Sequence, residues 1–503
     1  MMVLTSPLRF CRTSFSKVFS FGALLFLIPT LGSAQSEGVL RFRIEGMNEG
    51  DTIYLANYYG NKMYYADTAT VSAKGRFEFP SPPAEKGGKY GLVLPENGFV
   101  EMIVTGGDIE LEADRSDLPG SVVVTKGEDT RLFYDYLEFI QDMREKRAPI
   151  DARAQDSTMT EAERSQLRQS LEVLNLQVEA EQDRIQEEHG ETLFAKMIRL
   201  VREPDVPEAP LTEPNAELWR YYKFRSMFWD RLDFSDGRLV RDPALHNLLE
   251  QFWNGVMPQL PDTALVEVNK LISRAQADPD MFKYMVHFFT FSAEKSQVMC
   301  MDKVFVDLVD RYYASGMADW LNEEQLKKVT DRAEDLRFSL CGKRIPNIIL
   351  PDTTQQNWVS LYDVEAEYTL VSIWESTCGH CKKEMPKLEE LYEEWHPKGL
   401  EIYAIGNDFE PEPWLKFVRE KNLEDWIHVS DNPEINAADS ASALIRAGIT
   451  TLQSLNFRTT FDVYATPKMF LLDKDKKVIA KQVGAEQISD ILKREEQMKA
   501  QGQ

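Results

Sequence analysis

Two cysteines separated by two residues, at the point where an apolar run gives way to a helical pattern, constrain this chain more than any other feature. Residues 374–386 read W-E-S-T-C-G-H-C-K-K-E-M-P, and the apolar run before them is Tyr368–Trp374. Such a pair serves as a redox centre, as half of a zinc site, as a haem attachment point, or as two idle thiols. The residues around Cys378 and Cys381 discriminate between these interpretations.

The zinc and haem interpretations lack the ligands that they need. A structural zinc site takes four cysteine or histidine ligands, usually as two close pairs. Cys300 and Cys341 are neither closely spaced nor near Cys378 in the sequence. Covalent haem attachment takes the pattern C-x-x-C-H, whereas Lys382 follows the second cysteine. We therefore predict no metal site and no cofactor.

The redox interpretation has a physical basis in the predicted local structure. A strand over 369–374 delivers Cys378 to the start of a helix, where free amide N–H groups and the helix dipole stabilise a thiolate. His380 adds a positive charge when it is protonated. A thiol so placed has a lowered pKa and attacks disulfides at neutral pH. Cys381, one helical turn further on and more buried, is placed to resolve the mixed disulfide. The predicted inner face of the helix carries Met385, Leu388, Leu391, Tyr392 and Trp395.

The C-terminal part of the chain, residues 342–503, resembles the thioredoxin-fold thiol–disulfide oxidoreductases, in particular their exported TlpA/ResA-like, AhpC/TSA-related branch. Trp374 stands four residues before Cys378, and Pro386 stands eight residues after it. The segment 464–473, Y-A-T-P-K-M-F-L-L-D, is similar to the one that carries the cis-proline of this family. The resemblance also predicts three closing elements: a hairpin at 473–477, a strand Val478–Lys481 and a helix from about Glu486.

This resemblance implies roles for individual residues. Pro467 is expected to form a cis peptide bond and to pack beside the cysteines, and Thr466 is expected to hydrogen-bond the substrate backbone. Trp374 is expected to contribute to substrate binding, and Pro386 to kink the active-site helix. These roles come from the family and not from the spacing of the residues alone.

The chain departs from the family at several positions. Thr377 replaces the tryptophan that many members carry directly before the first cysteine. Ser372 lies where thioredoxins have a buried aspartate that manages the proton of the resolving cysteine, so that task passes to water or to Glu375 or Glu384. Residues 431–457 form an insertion that is expected to shape substrate access.

The dipeptide between the cysteines leaves the direction of electron flow open. Gly379-His380 is similar to the dipeptide of protein disulfide isomerases, and it is expected to tune the thiolate. Isomerases and thioredoxins differ in reduction potential by roughly 90 mV, which favours a pair that accepts electrons. The electron donor available in the compartment decides the direction, however.

The N-terminus has the pattern of a secretory signal. Residues 1–17 carry three basic residues and no acidic one, an apolar stretch covers about 19–28, and small residues follow at Gly32 and Ala34. This pattern predicts a signal peptide over 1–34, because the apolar run is shorter than the ~20 residues that span a bilayer. The mature chain is therefore predicted to be periplasmic and not membrane-spanning.

Charge and the remaining cysteines limit the partners of the mature chain. The net charge is −24, and removing the signal, which carries three positive charges and no negative one, leaves −27. This acidity argues against nucleic acid and anionic membranes as partners. Besides the close pair, Cys300 and Cys341 remain. They form either a structural disulfide, worth about 4 kcal/mol in the chain-entropy model, or two buried reduced thiols.

The rest of the chain divides by its periodicity. Alternating strands such as L-R-F-R-I and Gly-rich turns over 38–126 predict an all-β sandwich, similar to the DUF4369 family. A helical segment is predicted over 129–203, and an all-α domain similar to DUF5106 over 215–341, with a Pro-rich break between them. Residues 342–503 alternate apolar strands with helices, which indicates an α/β fold. The chain is thus predicted to be multidomain.

Three patterns stand out in the helical region. The stretch T-E-A-E from Thr160 has the form of a capping box. Behind it, heptad-spaced residues are expected to form a seam within the chain rather than a dimer interface, namely Leu167, Leu171, Leu174, Val178 and Ile185. The aromatic cluster over 219–229 either fills the core, which we favour, or grips unfolded protein.

Two functions from different classes fit this sequence. The favoured one is an exported thiol–disulfide oxidoreductase that acts on cysteine-containing extracytoplasmic proteins and is recycled by a membrane or periplasmic redox partner. The alternative is a non-catalytic binding or scaffold protein that uses a thioredoxin fold. The presence of both cysteines, His380 and a predicted cis-proline favours the enzyme.

Overall fold

The computed structural model describes residues 38–408, 411–430 and 438–500. The predicted signal peptide and part of the predicted insertion at 431–457 lie outside the described residues. Within the described ranges, no helix is both long and apolar enough to cross a membrane. A β-sandwich, a helical domain and an α/β domain follow one another along the chain, which confirms the predicted fold class.

The N-terminal sandwich has two facing sheets. Their strand orders are β4-β1-β7-β8 and β3-β2-β5-β6. In β1, Leu40, Phe42 and Ile44 are buried between the sheets while the residues between them are exposed, as expected for a strand with one buried face. The strands are β1 Val39–Glu45, β2 Thr52–Tyr59, β3 Lys62–Thr70, β4 Arg76–Pro80, β5 Gly88–Val93, β6 Phe99–Val104, β7 Ile109–Asp114 and β8 Val123–Lys126.

Strand β3 escaped the sequence analysis. It lies at the edge of its sheet and is exposed along nearly its whole length. A strand that buries neither face leaves no alternation of apolar and polar residues. The sequence signal on which strand prediction depends is therefore absent from β3.

The helical domain packs around one continuous core, which extends from Leu132 to Leu340 and also includes Ile103 of β6. Helices on both sides of the Pro-rich stretch share this core, and the predicted boundaries 129–203 and 215–341 stay a prediction. The helices are α1 Glu128–Ala154, α2 Glu161–His189, α3 Leu193–Val201, α4 Ala216–Met227, α5 Pro243–Gln251, α6 Pro261–Ala275, α7 Pro279–Lys295, α8 Asp302–Leu308 and α9 Glu323–Arg337.

Helix α2 begins and packs as its sequence predicts. The Thr160 hydroxyl accepts a hydrogen bond from the Glu163 N–H, and the Glu163 carboxylate accepts one from the Thr160 N–H at 2.8 Å. The helix packs along α1, where the Gln182 amide donates to the Tyr136 hydroxyl at 3.0 Å. Of the heptad-spaced residues, Ile185 is fully buried and the other four are half-buried.

The aromatic cluster on and after α4 divides between core and surface. Phe228 and Trp229 are buried in the helical core. Tyr221 and Tyr222 are 39% and 56% exposed, which corrects the prediction that the whole cluster fills the core. Helix α4 has one face toward solvent, and its two tyrosines lie there.

The C-terminal domain is built on a mixed sheet of order β13-β12-β11-β14-β15, in which β11, β12 and β13 are parallel. Strands β14 and β15 form the predicted hairpin and run antiparallel to their neighbours. The strands are β9 Ile349–Pro351, β10 Trp358–Ser360, β11 Tyr368–Trp374, β12 Leu400–Gly406, β13 Ile427–Ser430, β14 Lys468–Asp473 and β15 Val478–Lys481. The helices are α10 Gly379–Trp395, α11 Pro411–Glu420, α12 Ala438–Arg446, α13 Leu452–Leu455, α14 Phe457–Thr460 and α15 Ala485–Ala500.

The helical and C-terminal domains are joined covalently and by a buried ion pair. Cys300 and Cys341 form a disulfide with their Cα atoms 5.7 Å apart, although they are separated by 41 positions in the sequence. Nearby, the Lys481 ammonium pairs with Asp302 and donates to the Ser339 carbonyl at 2.7 Å. The start of the C-terminal domain is therefore tied to the base of α8.

The disulfide generates a first prediction. In a Cys378→Ser/Cys381→Ser background, adding Cys300→Ser and Cys341→Ser should lower the free energy of unfolding by about 4 kcal/mol, because the open loop gains entropy in the unfolded state. Urea denaturation measures this change. As a control, the background protein should resist alkylation under denaturing conditions until reductant is added. Alkylation of Cys300 and Cys341 without reductant would contradict the bridge.

Candidate active site

Strand β11 lies at the centre of the sheet and ends where the cysteine pair begins. All seven of its residues are buried, which explains its continuous apolar sequence. The loop after it is held by Asp408, which follows β12. The Asp408 carboxylate accepts hydrogen bonds from the Ser376 hydroxyl at 2.6 Å and from the Ser376 N–H at 3.0 Å. Because the carboxyl ends of parallel strands meet at one edge of a sheet, Asp408 fixes the start of α10.

Cys378 is the N-cap residue of α10 and is partly exposed. Its Sγ lies 3.2 Å from the Thr466 carbonyl oxygen. Burial alone would raise the pKa of this thiol. The Thr466 hydroxyl and the backbone N–H groups of Cys381 and His380 outweigh burial and hold the pKa of Cys378 below its ordinary value. Cys378 is therefore the thiol of this pair that ionises first.

Cys381 lies one turn along α10 and has no exposed surface. It packs in the apolar core between the helix and the sheet. Burial raises its pKa to about 12, although the Glu375 backbone and the Thr466 hydroxyl act in the opposite direction. The two thiols therefore have separate tasks: Cys378 can attack from the surface, and Cys381 can react with Cys378 alone.

The loop that faces the cysteines precedes β14. The peptide bond between Thr466 and Pro467 is cis, and both residues are partly exposed. The Thr466 hydroxyl interacts with both thiols. Lys468, the next residue, pairs with Ile373 of β11. The loop is thereby attached to the strand that also carries the cysteines.

The other predicted residues of the first helical turn lie on the surface. Gly379 and His380 are exposed, and the structure brings the backbone N–H of His380 to the Cys378 sulfur. Pro386 lies inside α10, which continues beyond it to Trp395. The tuning role of the His380 imidazole and the kink at Pro386 stay predictions.

Trp374 requires a correction. Its side chain has no exposed surface and packs against Phe417, with the ring centroids 5.2 Å apart. A side chain without exposed surface cannot touch a docked polypeptide, so the expected role of Trp374 in substrate binding is wrong. The apolar run to which it belongs is buried on both faces, and Trp374 supports the site from within the core.

Three side chains bear on which group takes the proton from Cys381. The Ser372 hydroxyl is buried and has no hydrogen-bond partner among the described residues. The Glu375 carboxylate accepts a hydrogen bond from the Asn407 amide. Glu384 accepts one from the Ala485 N–H at 2.7 Å, at the start of α15. Both carboxylates therefore have structural partners, and the group that takes the proton from Cys381 stays a prediction.

Sequence reasoning missed Asp408 and Ser376, which hold the loop before Cys378. A signal for Asp408 was available, because it follows the apolar strand I-Y-A-I-G as a polar residue at a strand end. Side chains at the carboxyl ends of neighbouring parallel strands lie close together. No local pattern marks Ser376.

Two family matches cover most of the helical and C-terminal domains. Residues 341–481 match the AhpC/TSA family, and residues 159–339 match the domain of unknown function DUF5106. The chain therefore carries a DUF5106 domain followed by a thioredoxin-fold domain of the AhpC/TSA family. The DUF5106 match covers helices on both sides of the Pro-rich stretch and does not include α1. The likeness of the sandwich to DUF4369 stays a prediction.

Relatives and solved structures are similar to part of the chain. A thiol-disulfide oxidoreductase ResA of Bacillus cereus is 29% identical over 143 residues, which make up 28% of this chain and 69% of the relative. ResA of Oceanobacillus iheyensis is 31% identical over 115 residues, 23% of this chain and 55% of the relative. A domain of a possible thiol-disulfide isomerase from Cytophaga hutchinsonii is 37% identical, with a TM-score of 0.27 over 32% of this chain and 97% of that domain. A thioredoxin-like protein from Bacteroides caccae is 19% identical, with a TM-score of 0.42 over 58% of this chain and 98% of that protein.

The fold and the geometry of the cysteine site together define the class of protein. A thioredoxin-fold domain with one surface thiol of lowered pKa, one buried thiol and a facing cis-proline loop has the arrangement of a thiol–disulfide oxidoreductase.

The pKa difference between the thiols generates a second prediction. In the reduced protein, iodoacetamide should modify Cys378 with a pH midpoint below the ordinary value of 9.0 and should leave Cys381 unmodified at neutral pH. Thr466→Val should move the Cys378 midpoint upward, because the thiolate loses a hydroxyl donor. Alkylation rates followed by mass spectrometry measure both effects.

Thr459→Val serves as the matched control, since Thr459 is exposed and is not among the groups that shift the pKa of either thiol. An unchanged midpoint in Thr466→Val, or equal modification of the two cysteines, would contradict this account.

Proposed function

We propose that this protein is an exported thiol–disulfide oxidoreductase that reduces or exchanges disulfides in extracytoplasmic proteins through Cys378 and Cys381. The observation that carries the proposal is the asymmetry of the pair: a partly exposed thiol of lowered pKa at a helix start, above a buried thiol one turn on. The ResA relatives, which are named thiol-disulfide oxidoreductases, support the same reaction class.

The reaction balances as two successive exchanges. The Cys378 thiolate attacks one sulfur of a substrate disulfide, so a mixed disulfide forms and one substrate thiolate leaves. Cys381 loses its proton to water and attacks the Cys378 sulfur, which closes the Cys378–Cys381 disulfide and releases the second substrate thiolate. Two electrons pass to the substrate. A second redox protein that carries a thiol pair returns them.

Two features support action outside the cytoplasm. The N-terminal sequence has the pattern of a secretory signal. The Cys300–Cys341 disulfide fits an oxidising compartment, because cytosolic proteins rarely keep structural disulfides. The buried ion pair of Lys481 with Asp302 lies beside it and belongs to the same domain junction.

The high pKa of Cys381 generates a third prediction. Reaction of the reduced protein with 5,5′-dithiobis(2-nitrobenzoate) should release thionitrobenzoate in two phases, from attack by Cys378 and then from resolution by Cys381. The rate of the second phase should rise about tenfold per pH unit through neutral pH, because the thiolate fraction of a group with a pKa of about 12 does so. Stopped-flow absorbance measures both phases.

Cys381→Ser should keep the first phase and lose the second, and Cys378→Ser should lose the fast first phase. A second phase whose rate is independent of pH would show that another group takes the proton from Cys381.

The reduction potential of the pair tests the proposal itself and its direction. Equilibration in defined glutathione or dithiothreitol buffers, followed by alkylation and intact-mass measurement, gives this value. A potential near or below about −270 mV indicates a reductase, and one near −180 mV or higher indicates an oxidase or isomerase. A pair that does not cycle would overturn the enzyme and leave a binding function.

A further inference from the structure

The helical domain reaches the loop that faces Cys378 through one arginine. Arg332 lies on α9, and its guanidinium pairs with the carboxylate of Asp462, which precedes the cis-proline loop. Its Nε also lies 3.6 Å from the Glu294 carboxylate on α7. Arg332 therefore links two helices of one domain to the candidate active site of the next.

Asp462 also contacts the other end of the cis-proline loop. Lys468 lies directly after Pro467 and pairs with the Asp462 carboxylate at 3.2 Å, and it also donates to the Asp462 backbone carbonyl. The Asp462 side chain is 6% exposed and that of Lys468 is 15% exposed. Ion pairs at such depth hold their geometry firmly, since a displaced partner leaves a buried charge uncompensated. Both ends of the loop are thus held.

Tyr464 lies between Asp462 and Lys468 in the sequence, and its side chain does not pack in a hydrophobic core. Its side chain is 81% exposed, and the Arg332 guanidinium lies over its ring at 5.7 Å from the centroid. It stands two residues before Thr466, whose carbonyl touches the Cys378 sulfur. An exposed tyrosine beside an arginine is typical of the side chains that dominate protein interfaces. We therefore expect a polypeptide that brings its disulfide to Cys378 to meet this ring.

We propose that Arg332 is a positioning residue that holds Tyr464 as a docking side chain for the polypeptide around the substrate disulfide. The helical domain thereby takes part in selecting substrates: the favoured partner is a polypeptide with an apolar or aromatic side chain next to its disulfide. This inference rests on the proposed function, and the reaction steps are those given above.

The experiment compares two disulfides in single-turnover reactions of the reduced full chain. One is a synthetic peptide with a disulfide flanked by phenylalanine, and the other is 2-hydroxyethyl disulfide, which has no polypeptide to dock. Tyr464→Ala should raise the half-saturation concentration for the peptide about tenfold, as expected for loss of an interface anchor. The rate with 2-hydroxyethyl disulfide should change less than twofold. Arg332→Met should reproduce this pattern.

Three further variants separate positioning from general stability. The double variant Arg332→Met/Tyr464→Ala should raise the half-saturation concentration no further than Tyr464→Ala, because both substitutions remove one docking contact. Arg332→Lys should restore part of the effect. Arg337→Met is the matched control, since Arg337 lies on the same helix but pairs with Asp310 and Glu334 inside the helical domain.

Each remaining outcome decides against the inference. An unchanged half-saturation concentration in Tyr464→Ala or Arg332→Met overturns it. An equal loss of rate with both disulfides overturns it too, because Arg332 would then only stabilise the fold. If the unmodified protein reacts with neither disulfide, the proposed function itself fails. This outcome is seen without any variant, so it is distinct from failure of the docking inference.

Discussion

Strand β11 is hydrogen-bonded on both sides and buried on both faces, and each part of the candidate site is attached to it. Its end delivers Cys378 to the start of α10, and its neighbour β14 brings the cis-proline loop to the same place. Asp408, at the end of β12, holds the connecting loop from the other side. Because a central strand of this kind cannot shift without breaking two ladders, the distance between Cys378 and Thr466 is set by the sheet.

The chemistry of the pair follows from unequal solvation of two identical side chains. Cys378 keeps access to solvent and gains hydrogen bonds from the Thr466 hydroxyl and from backbone amides, which favour its thiolate, whereas Cys381 loses its solvent and stays a thiol. Ser372 leaves the resolving cysteine without the carboxylate that thioredoxins place there. In the proposed reaction Cys378 attacks first, and the deprotonation of Cys381 is expected to control how fast the mixed disulfide is resolved.

The helical domain is a structural part of the site. A disulfide and a buried ion pair hold it against the C-terminal domain at Cys341 and Lys481, and Arg332 extends the contact to the loop before Pro467. A domain attached this firmly cannot rotate freely over the cysteines. In the proposed docking, Arg332 of the helical domain and Tyr464 of the C-terminal domain meet a polypeptide that approaches Cys378.

The sequence by itself determined the order of domains and the buried face of β1 through local periodicity. It determined the start of α2 through the capping box at Thr160, and the strand-to-helix junction that carries the cysteines through a continuous apolar run. Burial of one face leaves a repeat in the chain, and a capping box or an apolar run is equally local, so each of these features depends on neighbouring residues alone. Where burial is absent, the repeat is lost, and β3 was missed. Trp374 was given a role in substrate binding by the family resemblance, which does not record that its side chain is buried. Tertiary structure alone decided that Arg332 meets Asp462, which is 130 positions away. Ion pairs between domains depend on how finished surfaces pack, and nothing periodic in the sequence records that.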